Sequence, residues 1–370
     1  MQNTVQANKQ SSDRFLIIVI LAILAIGVLM VYSASSIWAE YKFNDSFYFL
    51  KRQLLFAGIG VIFMFIVSNI PYFQWVKYRK LIFIGCILLL IAVLIPGIGM
   101  VRGGARSWIG IGAFSIQPAE FMKLGMILFL SGYLVHHQNT LTQFRKGFIP
   151  PLTMIILLFL LIMLQPDLGT GMVFVLTSFL LLFVAGARIL HFVFLAGFGL
   201  IGFLLLIISA PYRINRITAF LDPPWQDPLG NGFQIIQSLY AIGPGGLFGV
   251  GFGNSLQKYF YLPEPHNDFI FAIVAEELGF IGGMFVISLF FLFIWRGILV
   301  AIHAPDLFAR LLAIGIVGMI AIQVMINISV VIGLIPVTGI TLPFLSYGGS
   351  SLTLTLCSVG ILINISKYRK

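Results

Sequence analysis

Long apolar runs separated by short polar connections make up most of this chain. Ten runs have roughly the length needed to span about 30 Å of hydrocarbon. They occupy residues 15–35, 53–70, 81–98, 118–135, 149–164, 171–187, 189–209, 269–295, 309–332 and 344–365. The fifth to seventh runs are short or closely spaced, which leaves nine spans or a re-entrant segment open as an alternative. The pattern therefore predicts an all-α polytopic membrane protein with about ten transmembrane helices.

Composition supports this class and excludes an ordinary soluble fold. Hydrophobic residues make up 59% of the chain and charged residues only 9%, and the mean hydropathy is +1.04. The first run is longer than the apolar core of a cleaved signal peptide, which is about 7–15 residues, so we expect an uncleaved helix. We predict a single transmembrane domain over residues 15–366, with an N-terminal tail at 1–14 and a C-terminal end at 367–370.

Basic residues indicate the orientation, because cytoplasmic loops retain Lys and Arg. With the N-terminus inside, the inner set is Lys9, Arg14, Lys77, Arg79, Lys80, Arg145, Lys146, Arg188, Arg296, Arg310, Lys367, Arg369 and Lys370. We therefore expect both termini in the cytoplasm. The net charge of +10 then reflects topology and contact with anionic lipids, and nucleic-acid binding is not expected.

One connection stands apart from the others by its length. Residues 210–267, between helices 7 and 8, form a long loop on the predicted outer side, where we expect function to reside. The stretch 233–240 has helical spacing typical of an interfacial helix. The glycine-rich stretch 243–253 lies between apolar spans on the predicted outer side and does not join a strand to a helix, so a phosphate-cradling loop is not expected. Flexible packing near a lipid substrate and close helix approach remain as its two interpretations.

The acidic stretch from Glu264 to Glu277 is the most unusual chemistry in the chain. Asp268 lies where the long loop enters an apolar run, and a charge near the bilayer centre costs roughly 2.5 to 3.5 kcal/mol. Asp268 has two compatible roles: it caps the next helix, or it acts as a base whose pKa is raised by burial and by Glu264. We predict Glu276 and Glu277 to be internal packing or relay groups, and His266 to be a solvated loop side chain.

A second polar set begins the fourth helix and follows the fifth. Glu120 lies in the first turn after Pro118, which is typical of a helix start. Lys123 shares a face with Glu120 and either snorkels to the surface or binds a ligand. Together with Asp167, these residues are predicted to lie at the same outer level as Asp268.

Several basic residues on the predicted outer side run against the positive-inside tendency. They are Arg102, Arg106, Lys123, Arg213, Arg216 and Lys258, accompanied by Glu120, Asp167, Glu264 and Asp268. Guanidinium groups match phosphate oxygens with paired hydrogen bonds. We therefore predict that these residues bind an anionic lipid carrying phosphate or pyrophosphate, with a structural ion-pair network as the alternative.

Motifs along nearly the whole chain resemble the SEDS family (shape, elongation, division and sporulation), whose members include FtsW, RodA and SpoVE. The most specific is Gly333-Leu-Ile-Pro-Val-Thr-Gly-Ile-Thr-Leu-Pro-Phe-Leu-Ser-Tyr-Gly-Gly-Ser-Ser, supported by Arg106-Ser-Trp-Ile, Gln117-Pro-Ala-Glu-Phe-Met-Lys, Gln165-Pro-Asp-Leu-Gly-Thr, Gln234-Ile-Ile-Gln-Ser and His266-Asn-Asp-Phe-Ile-Phe. Family members often have Thr where this chain has Asn267. The compact tails and the segment beginning at Tyr261 are most similar to SpoVE and short FtsW proteins.

The resemblance implies a peptidoglycan glycosyltransferase that polymerises lipid II at the outer face of the bacterial cytoplasmic membrane, in division or sporulation. Asp268 matches the family's essential aspartate, which would take the proton from the GlcNAc 4-hydroxyl of an acceptor lipid II. The lipid-linked strand would then lose undecaprenyl pyrophosphate with inversion.

The resemblance also implies partners. They are lipid II, the lipid-linked glycan strand, a class B penicillin-binding protein, and other division or sporulation wall-synthesis proteins. No cofactor is certain, although a divalent cation, Mg²⁺ or Mn²⁺, could bridge the pyrophosphate and an outer carboxylate. Its ligands are not identifiable from the sequence.

Two other functions remain open. A lipid II flippase would need polar groups through the bilayer depth and discontinuous helices at the midplane. A non-catalytic scaffold for a penicillin-binding protein would not need Asp268.

Overall fold

The computed structural model describes residues 11–102, 105–111, 114–208, 214, 230 and 232–369. Its helices are α1 (Arg14–Phe43), α2 (Tyr48–Asn69), α3 (Tyr72–Ala92), α4 (Pro118–His136), α5 (Ile149–Met163), α6 (Leu168–Val184), α7 (Ile189–Ile208), α8 (Phe233–Gly245), α9 (Ile270–Ile302), α10 (Leu307–Val331) and α11 (Gly349–Ser366). A π-helical turn, Phe144–Phe148, leads into α5.

Each of the ten apolar runs overlaps a helix, namely α1 to α7 and α9 to α11. Within the described residues, seven helices are long and apolar enough to cross a membrane: α1, α2, α4, α5 with its π-helical turn, α9, α10 and α11. The predicted all-α polytopic membrane fold is thereby confirmed. Helix α8 also forms where the interfacial helix was predicted.

A small antiparallel sheet interrupts the connection between α3 and α4, which the apolar pattern did not predict. Its strands are β1 (Gly99–Arg102), β2 (Ala105–Ile111) and β3 (Phe114–Ile116), in the order β1-β2-β3. The strands are short and β1 pairs with a register shift. The sheet leads into the start of α4, and its third strand contacts α11.

The α10–α11 connection, residues 332–348, is exposed at its start, but residues 342–346 are buried among the helices. A Cβ atom at Gly27 of α1 would lie 2.3 Å from the carbonyl oxygen of Phe344, so glycine permits this close approach. On the other side, Gln53 of α2 donates from Nε2 to the Ser346 carbonyl at 3.2 Å. The connection is therefore fixed by two helices from the start of the chain.

The two ends of the described chain lie close together. Asp13 is 2% exposed and forms ion pairs with Arg296 at 2.7 Å and Arg369 at 3.3 Å. Its backbone N–H also donates to the Ser366 hydroxyl. A buried carboxylate shared by two guanidinium groups ties α1, α9 and the end of α11 together.

Helix α9 is broken near its start. Gly279 has φ 67° and ψ −168°, outside the helical region. The glycine-rich stretch docks at this break, where the Phe280 N–H donates to the Gly246 carbonyl at 2.8 Å. A Cβ atom at Gly249 would lie 2.2 Å from the Glu277 carbonyl oxygen. These contacts favour close backbone approach as the interpretation of the glycine-rich stretch.

Candidate active site around Asp268

Asp268 lies half-buried in the turn that precedes α9. The helix begins at Ile270 with Phe269 at the N-cap position, one residue later than the sequence predicted. The backbone of Asp268 is nevertheless fixed. Asn327 of α10 donates from Nδ2 to the Asp268 carbonyl at 2.7 Å and to the Ile340 carbonyl at 2.8 Å. One buried amide thus joins the Asp268 turn to the α10–α11 connection.

The two residues before Asp268 are held by the same connection. The Ser346 hydroxyl donates to the Asn267 carbonyl at 2.6 Å, and the Tyr347 N–H donates to the His266 carbonyl at 2.9 Å. Together with Asn327, these bonds fix three consecutive carbonyl groups. The position of the Asp268 carboxylate is therefore set by backbone bonds to a packed segment rather than by a free loop.

His266 is buried, which corrects its prediction as a solvated side chain. It is 3% exposed, and its ring centroid lies 4.4 Å from that of Phe49, 5.8 Å from Tyr347 and 5.9 Å from Trp38. Burial lowers the pKa of His266 from 6.5 to about 4, because an apolar environment disfavours the charged imidazolium. At neutral pH the ring is a neutral packing group beneath the Asp268 turn.

Glu120 and Lys123 form an ion pair on α4. Their side chains lie 2.7 Å apart and are 10% and 2% exposed, respectively. Lys123 therefore does not snorkel, and its ammonium group is kept close to the carboxylate. The Ser351 hydroxyl, in the first turn of α11, donates to Glu120 at 3.3 Å. This bond brings the Glu120–Lys123 pair to the end of the α10–α11 connection.

Asp167 occupies the N-cap of α6, where its carboxylate accepts from the Thr170 N–H at 3.1 Å and from Gln117 Nε2 at 2.5 Å. Burial raises the pKa of Asp167 above its usual value, and the nearby Glu120 carboxylate raises it further. A Cβ atom at Gly169, two residues on, would lie 2.7 Å from the Thr338 carbonyl oxygen. Asp167 therefore also borders the α10–α11 connection.

The structure thus gathers four predicted site residues around one segment. Asp268, Glu120, Lys123 and Asp167 come from three separate parts of the sequence, and each lies beside residues 338–351. The common outer level of the four residues stays a prediction. Residues 338–351 link the Asp268 turn to the Glu120–Lys123 pair and to the start of α6.

The remaining predicted residues lie elsewhere or are incompletely placed. Arg106 is half-buried on β2, paired across the sheet with Val101. Arg102 ends β1, but its side chain lies outside the described part of the structure, as do Arg213 and Arg216 entirely. Glu264 is exposed and accepts from Asn267 Nδ2 at 2.7 Å.

Lys258 was predicted to help bind an anionic lipid, with a structural ion pair as the alternative, and its surroundings favour that alternative. It is 3% exposed and lies 3.4 Å from Glu277, while its ammonium group also donates to the Gly253 carbonyl. The Ser33 hydroxyl lies within 2.7 Å of both Glu277 oxygens. A buried charge needs such partners, so Lys258 serves this internal cluster.

Glu276 belongs to the same buried cluster. Its carboxylate accepts from the Ser255 hydroxyl at 2.5 Å and from the Leu256 N–H at 2.8 Å. The outer loop is therefore bound to the first part of α9 by the two adjacent glutamates. Their prediction as internal packing groups agrees with these contacts.

Asn327, Ser346 and Ser351 were missed as positioning residues. The available signal was polar side chains within or beside apolar runs, because a buried amide or hydroxyl requires a partner. Their partners lie far away in sequence, so the pairing itself was not predictable.

Within the described residues, no group of three or more His, Cys, Asp or Glu side chains is arranged to hold a metal ion. Glu120 and Asp167 are nevertheless close enough for their charges to interact. Among the described residues, these two carboxylates could contribute ligands to a divalent cation.

Comparisons with known proteins agree with the resemblance. Residues 13–370 match the FtsW/RodA/SpoVE family, described as cell cycle proteins. Stage V sporulation protein E of Bacillus subtilis is 64% identical over 362 residues, covering 98% of this chain and 99% of that protein. A Geobacter protein named probable peptidoglycan glycosyltransferase FtsW is 44% identical over 354 residues, covering 96% of each chain.

Solved structures show the same fold. A chain from a study of polymerization and crosslinking by a peptidoglycan synthase complex aligns with a TM-score of 0.78 at 32% identity, covering 96% of this chain and 97% of that one. The rod shape determining protein RodA of Thermus thermophilus aligns with a TM-score of 0.71 at 29% identity, covering 97% of both chains. This chain belongs to the FtsW/RodA/SpoVE family.

Proposed function

We propose that this protein is a peptidoglycan glycosyltransferase that polymerises lipid II during cell division or sporulation. The observation that carries the proposal is the match over almost the full chain to proteins named for that activity. The site supplies the chemistry, because it combines a fixed carboxylate, Asp268, with a buried lysine and two further carboxylates.

Asp268 acts as the general base in this proposal. Its carboxylate accepts the proton of the GlcNAc 4-hydroxyl of an acceptor lipid II while that oxygen attacks the anomeric carbon of the lipid-linked strand. The new C–O bond forms as the bond to undecaprenyl pyrophosphate breaks, and the configuration inverts in one displacement. Bonds to three consecutive carbonyl groups of the turn preserve the required geometry.

Lys123 is the proposed electrostatic partner of the leaving group. A preorganised cation in a site that excludes water stabilises charge that develops on a leaving oxygen. The Glu120 carboxylate, 2.7 Å away, holds the ammonium group in place before substrate binds. We assign Arg102, Arg106, Arg213 and Arg216 to the remaining pyrophosphate contacts, and a divalent cation between pyrophosphate, Glu120 and Asp167 would add to this charge.

The class B penicillin-binding protein is the proposed partner. The similar solved chain comes from a complex described as coordinating polymerization and crosslinking, and crosslinking of strands is the activity that a transpeptidase would supply. Other wall-synthesis proteins of division or sporulation would assemble around this pair. Pull-down of the wild-type protein with a tagged candidate transpeptidase, followed by a joint polymerisation and crosslinking assay, tests the assignment.

We place the protein in the bacterial cytoplasmic membrane with both termini in the cytoplasm and Asp268 outside. Cysteine labelling tests this orientation after Cys86 and Cys357 are replaced. A membrane-impermeant maleimide should label Asp227→Cys in intact cells and Lys77→Cys only after permeabilisation. The reverse pattern would put the Asp268 site on the wrong side for this substrate.

The geometry of α9 weighs against the flippase alternative. Beyond the break at Gly279, residues 280–302 still form 23 residues of helix, which rise about 35 Å and suffice to cross the hydrocarbon. The Glu276–Glu277–Lys258 cluster thus lies at the same end of the span as Asp268, whereas transporter sites lie near the midplane.

A polymerisation assay separates these functions. Purified protein with its transpeptidase partner is incubated with labelled lipid II in detergent, and glycan products are resolved by electrophoresis. Long strands are the expected result. If no strands form while the same preparation moves labelled lipid II across sealed proteoliposomes, transport replaces polymerisation; if neither occurs, the scaffold function remains.

A further inference from the structure

A pocket lies near the end of α6 that is opposite Asp167. Its volume is about 560 Å³, and its apolar walls are Phe144, Phe148, Leu152, Leu190, Phe194 and Leu195. It lies between the π-helical turn and the start of α7. Helix α6 has 17 residues and therefore separates this pocket from Asp167 by about 25 Å. The pocket is distinct from the candidate active site.

One polar side chain in the pocket, His191, has a ring nitrogen without a hydrogen-bond partner among the described residues. His191 is 6% exposed, and within the described residues its Nδ1 atom has no hydrogen-bond partner. Its ring packs between Phe148 and Phe144, with centroids 4.8 Å and 5.2 Å away. A buried ring nitrogen without a partner is costly, so a ligand atom that pairs with it would be stabilised.

Positively charged residues lie in the pocket wall and on the turn beside it. Arg188 lines the pocket itself, and its carbonyl accepts from the His191 N–H at 2.9 Å. Arg145 and Lys146 lie exposed on the same π-helical turn that supplies two of the aromatic walls. The site therefore combines an apolar chamber, a cationic side chain in its wall and two further cationic side chains on the adjoining turn.

We propose that this pocket binds one anionic phospholipid from the membrane leaflet that borders the starts of α5 and α7. The phosphate lies against Arg188, whose guanidinium can donate two parallel bonds to it, and an acyl chain fills the apolar chamber. His191 Nδ1 pairs with an oxygen of the glycerol backbone. Basic pockets between membrane helices are suited to anionic headgroups.

The combination of features selects this class of ligand. A soluble phosphate would leave the apolar walls without a partner, and a lipid with a net neutral headgroup would not balance the three cations. The pocket volume lies within the usual range for small-molecule sites, about 300–1,000 Å³. It therefore has room for part of one lipid rather than for a whole protein segment.

Native mass spectrometry of the full-length protein tests the proposal. Phosphatidylglycerol and phosphatidylethanolamine with identical chains are titrated in separate samples onto protein in detergent. We expect one phosphatidylglycerol to bind preferentially. Arg188→Gln should weaken that binding roughly fivefold, as expected for one cation at a lipid headgroup, and Leu195→Trp, which fills the chamber, should reduce it further.

Arg310→Gln is the matched control, since Arg310 is an exposed arginine near the start of α10, away from the pocket. It should bind phosphatidylglycerol as the wild type does. Equal binding of the two lipids by wild-type protein would overturn the proposal without reference to any variant. Equal loss in Arg310→Gln and Arg188→Gln would also overturn it, by indicating general charge attraction instead of a site.

Discussion

Replacing His266 with phenylalanine should remove a pH-dependent part of the protein's stability. The imidazole is 3% exposed within an aromatic cluster, and burial lowers its pKa from 6.5 to about 4. In this pH range the unfolded chain takes up a proton that the folded chain does not. His266 therefore contributes its full stability above pH 6.5 and loses it as pH falls toward 4.

The expected size follows from the two pKa values. One pKa unit corresponds to about 1.4 kcal/mol, so the complete loss is about 3 kcal/mol and the loss between pH 8 and pH 5 is about 2 kcal/mol. Phenylalanine has a similar shape but no proton to bind. His266→Phe should therefore lack this component of the pH dependence while keeping the aromatic packing.

Thermal unfolding in detergent, followed by intrinsic fluorescence between pH 8 and pH 5, measures the effect. His303→Phe is the control, because His303 is exposed at the end of α9. This variant should keep the wild-type slope of melting temperature against pH. Equal slopes for His266→Phe and the wild type would refute burial of His266 as a source of acid sensitivity. Because His266 precedes Asp268 by two residues, we also expect polymerisation to fall over the same pH range.

Three further substitutions test other contacts. Lys123→Met leaves the Glu120 carboxylate buried and unpaired and should cost about 3–5 kcal/mol in unfolding free energy; an unchanged melting temperature would contradict the buried pair. Asn327→Leu removes the donor to the Asp268 carbonyl and should lower the free energy of unfolding by about 1–3 kcal/mol. It should also lower kcat more than it lowers affinity for lipid II. Loss of affinity alone would contradict a positioning role. Asp167→Asn keeps an N-cap residue and should be at least as stable as the wild type at pH 8. The difference in stability between the two should vanish as pH falls and the wild-type carboxyl becomes neutral. A variant that is less stable than the wild type only at high pH would contradict the raised pKa.

The membrane helices were predictable because long apolar runs have few alternatives in a bilayer. The first and last residues of these helices were harder to predict. Helix α1 continues through polar residues to Phe43, and α3 begins at Tyr72, so Lys77 and Lys80 lie within a helix and not in a loop. The sheet at β1–β3 was missed because two of its strands have only four and three residues, too few to show the alternating pattern that indicates a strand.

Partners that are distant in sequence explain most of the other differences. Asp268, Glu120 and Lys123 were identified because charge near apolar runs is costly wherever it occurs. The burial of Lys258 beside Glu277, however, depends on how the glycine-rich stretch meets the break at Gly279. That contact is tertiary, and local sequence does not specify it.

Glycan synthesis by Asp268→Asn tests the central claim most directly. Asparagine keeps the size of the side chain but cannot accept the proton of the attacking hydroxyl. The variant is compared with wild type and with Asp45→Asn, which alters a half-buried aspartate paired with Lys51 at 2.8 Å. Each protein is purified with the transpeptidase partner and supplied with labelled lipid II. We predict long strands from wild type and Asp45→Asn and none from Asp268→Asn with the complex intact; strands of normal length and rate from Asp268→Asn would contradict Asp268 as the base.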